Sequence, residues 1–299
     1  MLVTIIVRTY NEERYLGRLL DAIAAQDLGG GTGDGGGLQV ETILVDSGST
    51  DRTLEIAQAH GATIHRIAPE QFSFGRSLNF GCERAAGEVL VFISGHCVPV
   101  GSAWVRTLID PILKREVVLT YGRQKGGETS SLSESEVFAK LYPEQSAIPQ
   151  EGFFCNNANA ALSAAVWRQY RFDEELLGLE DMHLAKRLVE SGLRVGYVAE
   201  APILHYHHES WAQVRRRYER EAIALQRIRP EWHVTFLDFT RYFAAGVLLD
   251  SARGLQERRW LRNVSHIVMF RLMQFWGAYS GNHGHRRMAE REKRRYFYP

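Results

Sequence analysis

Four short runs of apolar residues, each separated from the next by a segment with helical spacing, constrain the fold of this chain more than any other feature. A continuous apolar run is typical of a strand that is covered on both faces. Strands that alternate with helices favour parallel pairing through right-handed crossovers, so the first half of the chain is predicted to be an α/β domain. The predicted strands are residues 2–7, 42–45, 62–67 and 89–93, and the predicted helices are residues 12–25, 50–60 and 76–86.

The second half of the chain is predicted to extend this domain and then to become helical. Beyond residue 210 the pattern is helical and rich in aromatic residues, so we expect an α/β domain over residues 1–209 and a helical C-terminal extension over residues 210–299. Residues 29–37 are almost all glycine and predict a flexible, disordered surface loop. Between these regions we expect helix and strand over 104–119, a polar, partly helical segment over 126–149, a helical zone over 153–170 and 181–191, and a strand over 194–199.

Composition excludes several classes of protein. The 299 residues are 45% hydrophobic and 24% charged, which is typical of a folded globular protein. The formal net charge of +1 provides no global attraction to nucleic acid. No apolar run approaches the ~20 residues that a membrane-spanning helix needs, and the N-terminus has no leader pattern. Three widely spaced cysteines indicate a reducing compartment, so we expect a cytoplasmic protein.

Polar residues follow the first two predicted strands at the points where each strand ends. Residues 8–13 read Arg-Thr-Tyr-Asn-Glu-Glu, and residues 46–53 read Asp-Ser-Gly-Ser-Thr-Asp-Arg-Thr. Parallel α/β sheets bind ligands beyond the carboxyl ends of their strands. Asp46 could accept hydrogen bonds there from a base or a ribose, and the turn after it leads into a helix whose amides favour phosphate. The alternative is structural: Ser49 and Asp51 only cap the helix, and Asp46 ends the strand. The local pattern predicts a helix cap at Ser49 or Thr50.

Together, these two motifs resemble those of the family 2 glycosyltransferases of GT-A fold. The resemblance covers residues 3–208. It implies a mixed sheet flanked by helices, and an enzyme that moves a sugar from a nucleotide-diphosphate sugar. The residues that it implies at the nucleotide are Thr9, Glu12, Asp46, Ser47 and Arg76. Arg76 would approach the diphosphate, where a planar cation suits the charge, and its alternative role is that of a solvated surface arginine.

The fourth predicted strand ends in Ser94-Gly95-His96, where the family places an Asp-x-Asp motif that binds a divalent metal. Imidazole is a legitimate ligand for manganese or other transition ions and a poorer one for magnesium, so His96 is a candidate replacement for the second aspartate. A late histidine completes the site in many GT-A enzymes, which makes His205 or His208 a further candidate. The expected cofactor is therefore Mn²⁺ or Mg²⁺. The alternative is that His96 is a structural, hydrogen-bonded histidine.

Glu180 and Asp181 open a predicted helix at the position of the family's Glu-Asp pair. The resemblance implies that Asp181 is the general base toward the acceptor hydroxyl in an inverting transfer, with Glu180 beside it. The alternative is that both acids favour the helix N-terminus electrostatically. That location also predicts a low pKa for Asp181, which would stay ionised near neutral pH. Asn156 or Asn157 could bind sugar hydroxyls, or cap a helix instead.

The motif after the fourth strand looks most like that of the rhamnosyltransferase-like branch of the family. This resemblance implies a UDP- or dTDP-sugar donor, with dTDP-rhamnose as a candidate, and a role in polysaccharide biosynthesis. The acceptor would be a glycan, a lipid-linked molecule or a small molecule. The competing function is a sugar-nucleotide-binding protein that has lost catalysis, as the missing Asp-x-Asp suggests. A dinucleotide-binding enzyme is disfavoured because no Gly-x-Gly-x-x-Gly follows the first strand.

Two further partners follow from the C-terminal extension. Its aromatic residues recur at helical spacing, which favours core packing or a homodimer. Six basic residues lie between Arg286 and Arg295, and beside the aromatic residues they allow peripheral contact with the inner face of a membrane.

Overall fold

A computed structural model of the protein describes residues 1–29 and 37–283, and the described chain divides into two compact units. The first unit contains Met1–Gly127, Tyr142–Glu175 and Glu180–Tyr206. The second contains Glu128–Leu141, Leu176–Leu179 and the described residues from His207 onward. Most of the glycine-rich segment that is predicted to be a loop, residues 30–36, lies outside the described residues. The domain boundary at residue 209 stays a prediction.

The strands of the first unit are β1 (Leu2–Thr9), β2 (Gln39–Asp46), β3 (Thr63–Arg66), β4 (Val89–Ser94), β5 (Cys97–Pro99), β6 (Leu119–Gly126), β7 (Asn159–Ser163) and β8 (Val195–His205). In the described part of the chain they form one eight-stranded sheet in the order β3-β2-β1-β4-β7-β6-β8-β5. The pairs β1–β2, β1–β4, β2–β3 and β6–β8 are parallel, whereas β4–β7, β6–β7 and β5–β8 are antiparallel. The prediction of a mixed sheet is therefore confirmed.

The helical zone predicted over residues 153–170 is partly wrong. Asn159–Ser163 forms strand β7, which pairs antiparallel with both β4 and β6. Its Ala160, Ala161 and Leu162 are all buried. A short apolar run of this length does not distinguish a buried strand from a buried helix, and the two neighbouring strands decide the outcome here.

Helices cover the sheet and make up most of the second unit. Those of the first unit are α1 (Leu16–Ala24), α2 (Thr53–Ala59), α3 (Phe74–Cys82), α4 (Trp104–Leu113), α6 (Ala164–Tyr170) and α7 (Glu180–Glu190). Those of the second unit are α5 (Leu132–Leu141), α8 (Trp211–Ile228), α9 (Phe236–Gln256) and α10 (Trp260–Asn282). None of the described helices is long and apolar enough to cross a membrane.

The core of the first unit lies against strand β1. Val3 and Ile5 of β1 belong to one buried cluster with Leu16 of α1 and Trp104 of α4. On α3, a Cβ atom added at Gly81 would come within 2.7 Å of the Ile6 side chain, so glycine allows this helix to approach β1 closely.

The second unit is held partly by a buried ion pair. Arg271 on α10 donates two hydrogen bonds of 2.7 Å to the carboxylate oxygens of Asp250 on α9, and both side chains are buried. Such bidentate geometry suits two groups removed from water, because each satisfies the other. Helices α8 and α9 each begin with a capping box, formed by Ser210 with Gln213 and by Thr235 with Asp238.

Candidate functional site

The ends of β1 and β2 form the first part of the candidate site, which we call the Asp46 turn (Thr9, Asp46, Ser47, Gly48 and Ser49). Thr9 and Asp46 are paired in register, and both are buried. Oδ2 of Asp46 accepts hydrogen bonds from the backbone amides of Gly48 and Ser49, both at 3.0 Å. Oδ1 accepts from the hydroxyls of Ser49 at 2.5 Å and Thr9 at 3.3 Å. The carboxylate is therefore held by four donors of its own chain.

A second set of hydrogen bonds ties this turn to the residues that follow β1. Asn11 has a left-handed backbone with φ of 55°, which asparagine tolerates better than most residues. Its backbone amide donates to the Ser49 hydroxyl at 2.9 Å, and its side-chain carbonyl accepts from the Thr50 amide at 2.8 Å. The two motifs that are separate in the sequence therefore interlock.

Helix α2 begins without the predicted serine or threonine cap. Its N-cap position is Arg52, which makes no capping hydrogen bond through its side chain. The Ser49 hydroxyl donates to Asp46 instead, and Thr50 bonds to Asn11. Asp51 accepts from the Thr53 amide at 3.0 Å. A cap at Ser49 or Thr50 is therefore wrong, because the turn before the helix uses both residues.

Two histidines form the second part of the candidate site, which we call the histidine pair (His96 and His205). They lie 109 positions apart, and the antiparallel pairing of β5 with β8 brings them together. Their Nε2 atoms are 3.1 Å apart. Glu12 Oε1 lies 2.6 Å from Nδ1 of His96, and Gln124 Oε1 lies 2.7 Å from Nδ1 of His205. In each ring, Nδ1 contacts an oxygen that orients the ring, while Nε2 faces the other histidine.

These oxygens determine which nitrogen of each ring carries hydrogen. Both the Glu12 carboxylate and the Gln124 carbonyl oxygen accept hydrogen bonds, so each Nδ1 is the donor. In two neutral imidazoles both Nε2 atoms then carry lone pairs, and these atoms lie within 3.1 Å of each other. Two lone pairs this close repel unless a proton or a cation lies beside both of them. Metal-ligating histidines usually have such oxygen partners at the other ring nitrogen.

The donor atoms around the histidine pair fit a transition ion. The Cys97 sulfur and one nitrogen of each histidine all lie within 4.8 Å of one another. Two ligand nitrogens that share a tetrahedral ion at the usual bond lengths are about 3 to 3.5 Å apart, which matches the observed separation. Burial raises the pKa of the Cys97 thiol, so it is protonated in the absence of a cation. His208 is exposed and belongs to the second unit, whereas the group in the first unit contains His96, Cys97 and His205.

The start of α7 forms the third part of the candidate site. Glu180 and Asp181 are both buried there. The Asp181 carboxylate accepts hydrogen bonds of 2.7 Å from the backbone amides of Asn157 and Met182. Arg8, at the end of β1, reaches Glu180 with its guanidinium 3.4 Å from Oε1. Strand β1 therefore sends Arg8 toward this acidic pair and the next residue, Thr9, toward Asp46, since successive side chains of a strand point in opposite directions.

The pKa of Asp181 differs from the sequence-based prediction. Burial, followed by the charge of Glu180, raises the pKa of Asp181 to about 7, against the opposing effects of the two amide hydrogen bonds and Arg8. The prediction of a low pKa is wrong, because desolvation of the carboxylate outweighs the favourable helix N-terminus. A carboxyl group with a pKa near neutrality is suited to accept a proton.

The two asparagines predicted to bind sugar hydroxyls differ in their surroundings. Asn156 Oδ1 accepts from Gln124 Nε2 and from the Ala158 amide, both at 3.0 Å. The side-chain nitrogen of Asn157 is buried and has no hydrogen-bond partner among the described residues. A buried amide without a partner is costly, so Asn157 is the better candidate for contact with a ligand.

Arg76 is engaged on the surface. Its Nε donates to Glu174 at 2.8 Å, and its NH1 donates to the backbone oxygen of Gln71 at 3.1 Å. Its side chain is 48% exposed. These contacts match the alternative of a solvated arginine, and its approach to a diphosphate stays a prediction.

Sequence reasoning missed three residues of the site: Arg8, Cys97 and Gln124. The alternation of side chains along β1 could have indicated Arg8, since it precedes Thr9 on the opposite face. Gln124 carried no such signal. It lies beside an irregularity in the pairing of β6 with β8, and only that pairing brings it to His205.

Comparison with known proteins adds to this geometry. A protein-family model described as Glycosyl transferase family 2 matches residues 4–170, which is more than half of the chain. The matched range includes the Asp46 turn, His96 and Asn157. Asp181 and His205 lie beyond it.

Two curated relatives are rhamnosyltransferases, which agrees with the predicted branch. The chain is 25% identical over 232 residues to the O-antigen chain rhamnosyltransferase RfbN of Salmonella typhimurium, covering 73% of this chain and 70% of the relative. It is 24% identical over 189 residues to the O-antigen chain rhamnosyltransferase WbaN of Salmonella anatum, covering 60% of each.

Solved structures of similar fold include glycosyltransferases. The mannosyltransferase PcManGT from Pyrobaculum calidifontis, in complex with GDP-Man and Mn²⁺, has a TM-score of 0.60 at 16% identity, covering 92% of this chain and 85% of that one. Glucosyl-3-phosphoglycerate synthase from Mycobacterium tuberculosis has a TM-score of 0.53 at 21% identity, covering 76% and 79%. These likenesses confirm the GT-A fold.

Proposed function

Because this chain belongs to glycosyl transferase family 2, we propose that it transfers a sugar from a nucleotide-diphosphate sugar to an acceptor hydroxyl with inversion of the anomeric carbon. The observation that carries the proposal is the buried carboxyl group of Asp181, whose pKa is raised to about 7. Inversion requires one base on the face of the sugar opposite the leaving group, within hydrogen-bond reach of the attacking oxygen.

The chemistry assigned to Asp181 is a single proton transfer. The acceptor oxygen bonds to the anomeric carbon while the bond from that carbon to the diphosphate breaks, and the Asp181 carboxylate takes the acceptor proton. Two backbone amides hold this carboxylate in one orientation, which keeps its position fixed before the substrates bind. Asn157, with its buried side-chain nitrogen, is proposed to donate to a sugar hydroxyl.

The histidine pair, with Cys97, is proposed to hold the divalent cation. A cation bound there would neutralise charge on the leaving diphosphate. Glu12 and Gln124 accept hydrogen bonds from both Nδ1 atoms, so that the Nε2 atoms present their lone pairs to a cation. The mixed nitrogen and sulfur donor set favours a transition ion over magnesium.

The Asp46 turn is proposed to bind the nucleoside with Thr9. Since Asp46 already accepts four hydrogen bonds, a ribose or base would share or replace the Ser49 or Thr9 hydroxyl as a donor to it. The names of the two curated relatives support dTDP-rhamnose as the donor and a polysaccharide precursor as the acceptor.

A thermal-shift titration tests the proposal with the full chain. We expect dTDP or UDP to raise the melting temperature more with Mn²⁺ than without it, while NAD has no effect. A hundredfold excess of nucleotide over its Kd stabilises the folded state by about 2.7 kcal/mol, which is readily measured. Stabilisation by NAD alone would overturn the proposal. If the protein binds nucleotide but releases neither dTDP from a dTDP-sugar nor UDP from a UDP-sugar, a binding protein that has lost catalysis is favoured.

A further inference from the structure

Large apolar side chains are exposed mainly in one part of the second unit. Among the described residues, 13 large hydrophobic side chains are exposed, and eight of them lie between Trp232 and Leu261. Leu237, Leu248 and Leu255 on α9 are 75%, 69% and 61% exposed, and Leu261 at the start of α10 is 84% exposed. Single exposed leucines are ordinary, but such a concentration indicates a surface that something covers.

The exposed leucines of α9 share one face of the helix. Leu237, Leu248 and Leu255 follow each other at intervals of eleven and seven residues, which places them within about 20° of one another on a helical wheel. Ala244 and Ala252 are exposed on the same side. The face runs for roughly 27 Å along the helix. We call it the α9 leucine face (Leu237, Arg241, Ala244, Leu248, Ala252 and Leu255).

The opposite face of α9 is already packed within the second unit. Phe239, Gly246 and Asp250 are buried there, and the Phe239 ring contacts Trp276 of α10 with centroids 5.5 Å apart. Helix α9 therefore has one face packed within the second unit and a second, largely apolar face that is exposed.

The charges around this face favour an anionic surface as its occupant. Arg258, Arg259 and Arg262 are exposed at the end where Leu255 and Leu261 lie, and residues 258–262 include no acidic side chain. Glu257, just before them, is paired with Arg253 at 2.9 Å. Residues 284–299 add six basic and two acidic side chains to the sequence. Basic residues beside exposed leucines are typical of helices that lie in a membrane interface.

The exposed side chain of Arg241 favours a lipid surface over a second copy of the chain as the partner of the α9 leucine face. It is exposed within the α9 leucine face, whose six residues include no acidic side chain. On the next face of the helix, hydrogen bonds from Thr235 and then the charge of Arg241 lower the pKa of Asp238. In a two-fold dimer the same face meets itself, so each Arg241 would be removed from water opposite a leucine face that offers it no carboxylate. At a bilayer, a long arginine side chain can reach the phosphates while its stem stays among apolar groups.

We propose that the α9 leucine face, with Leu261 and the arginines at positions 258, 259 and 262, is a docking surface for an anionic lipid bilayer. The helix lies in the interface and does not cross it, with its leucines among the acyl chains and the arginines at the phosphates. Exposed aromatic residues at the other end of α9, Trp232 and Phe236, suit the same boundary between water and lipid. Lipid binding by this surface does not require that the protein transfers sugar.

Vesicle sedimentation with the full chain tests this proposal. We expect the protein to bind equimolar phosphatidylglycerol and phosphatidylcholine vesicles more tightly than phosphatidylcholine vesicles. Replacing Leu237, Leu248 and Leu255 together by glutamine should weaken binding at least about tenfold, since three exposed apolar side chains are lost. Arg258→Gln, Arg259→Gln and Arg262→Gln together should weaken binding to the anionic vesicles by about tenfold or more and leave binding to neutral vesicles nearly unchanged.

The matched control replaces three leucines or valines that are exposed elsewhere, Val100→Gln, Leu113→Gln and Leu141→Gln, and it should bind as the wild type does. Equal melting temperatures would show that every variant is folded. The proposal is overturned if the wild type does not bind vesicles, or if the leucine variant binds as tightly as the control. It is also overturned if light scattering finds a wild-type dimer that the leucine variant converts to monomer.

Discussion

The Asp46 turn and the histidine pair belong to the same unit, but their polar groups are satisfied in opposite ways. Asp46 accepts four hydrogen bonds from its own chain, so the turn is complete without a ligand. The histidine pair brings two Nε2 atoms within 3.1 Å, and their partners at Nδ1 leave lone pairs on both. A complete set of hydrogen bonds stabilises the fold. Two adjacent nitrogen atoms that repel each other without a proton or a cation between them instead favour the binding of that proton or cation.

Asp181 resembles the histidine pair, because its surroundings also leave its charge incompletely compensated. Its carboxylate is buried beside Glu180 and has a raised pKa, so the fold holds it at a cost to its ionised form. Perturbed groups of this kind concentrate where a protein performs chemistry. The comparison therefore predicts that substitutions at Asp181 and at the histidines affect function first, and that substitutions in the Asp46 turn affect stability as well.

The largest expected effect follows from Asp181→Asn. The amide keeps the shape of the side chain but cannot accept the acceptor proton. Transfer should fall by about 10² to 10⁴, the usual share of a general base, while donor binding survives. Initial rates with a labelled donor measure the first quantity, and calorimetry measures the second. Glu180→Gln is the control and should reduce transfer less; wild-type rates in the Asp181 variant would move the base to Glu180.

The raised pKa also determines how this variant responds to pH. Because the pKa of Asp181 is about 7 in the folded state and lies near 3.8 in the unfolded state, the unfolded chain loses this proton first as pH rises. Asp181 therefore lowers the free energy of unfolding progressively between about pH 4 and pH 7, and the Asn variant should lack this part of the pH dependence. The transfer rate of the wild type should rise with pH through about 7 as the base ionises. A flat profile across that range would contradict the assignment.

An intermediate effect is expected from His96→Ala. Removing one of the two imidazoles should lower Mn²⁺ affinity by more than about 100-fold, since even the loss of an outer partner of a ligand costs 10- to 100-fold. The melting temperature without metal should change little, because the substitution also removes the repulsion between the two Nε2 atoms. His60→Ala is a matched control, since His60 also contacts a carboxylate, Asp21 at 3.1 Å, but lies at the end of α2. An equal metal response in both variants would make His96 a structural histidine.

The smallest effect is expected from Asp46→Ala. Four donors lose their acceptor, two of them backbone amides, so the free energy of unfolding should fall by about 1 to 3 kcal/mol. Urea denaturation measures this change. Nucleotide affinity should fall by a similar free energy if Asp46 also accepts from the nucleoside. Ser49→Ala removes one donor and leaves the acceptor, so it separates the two roles: unchanged nucleotide affinity in both variants would limit Asp46 to the fold.

Much of the first unit could be predicted from local sequence. Strands β1, β2 and β4 were predicted because each contains a continuous apolar run, which is typical of a strand covered on both faces. The polar residues after β1 and β2 could also be recognised, whereas the pairing of Thr9 with Asp46 was found in the structure, where the two parallel strands end at the same edge. Strand β7 could not be recognised, because its five residues are compatible with strand and helix until β4 and β6 lie beside them.

The sequence by itself determined the alternation of strands and helices, the family, and the residues that line the ends of β1 and β2, since all of these depend on short-range patterns. Only the tertiary structure decided that His96 meets His205 and not His208, because the pairing of β5 with β8 joins positions 109 residues apart. It also decided the pKa of Asp181. A helix N-terminus is visible in a sequence, but burial beside Glu180 and between two backbone amides depends on how the whole unit packs.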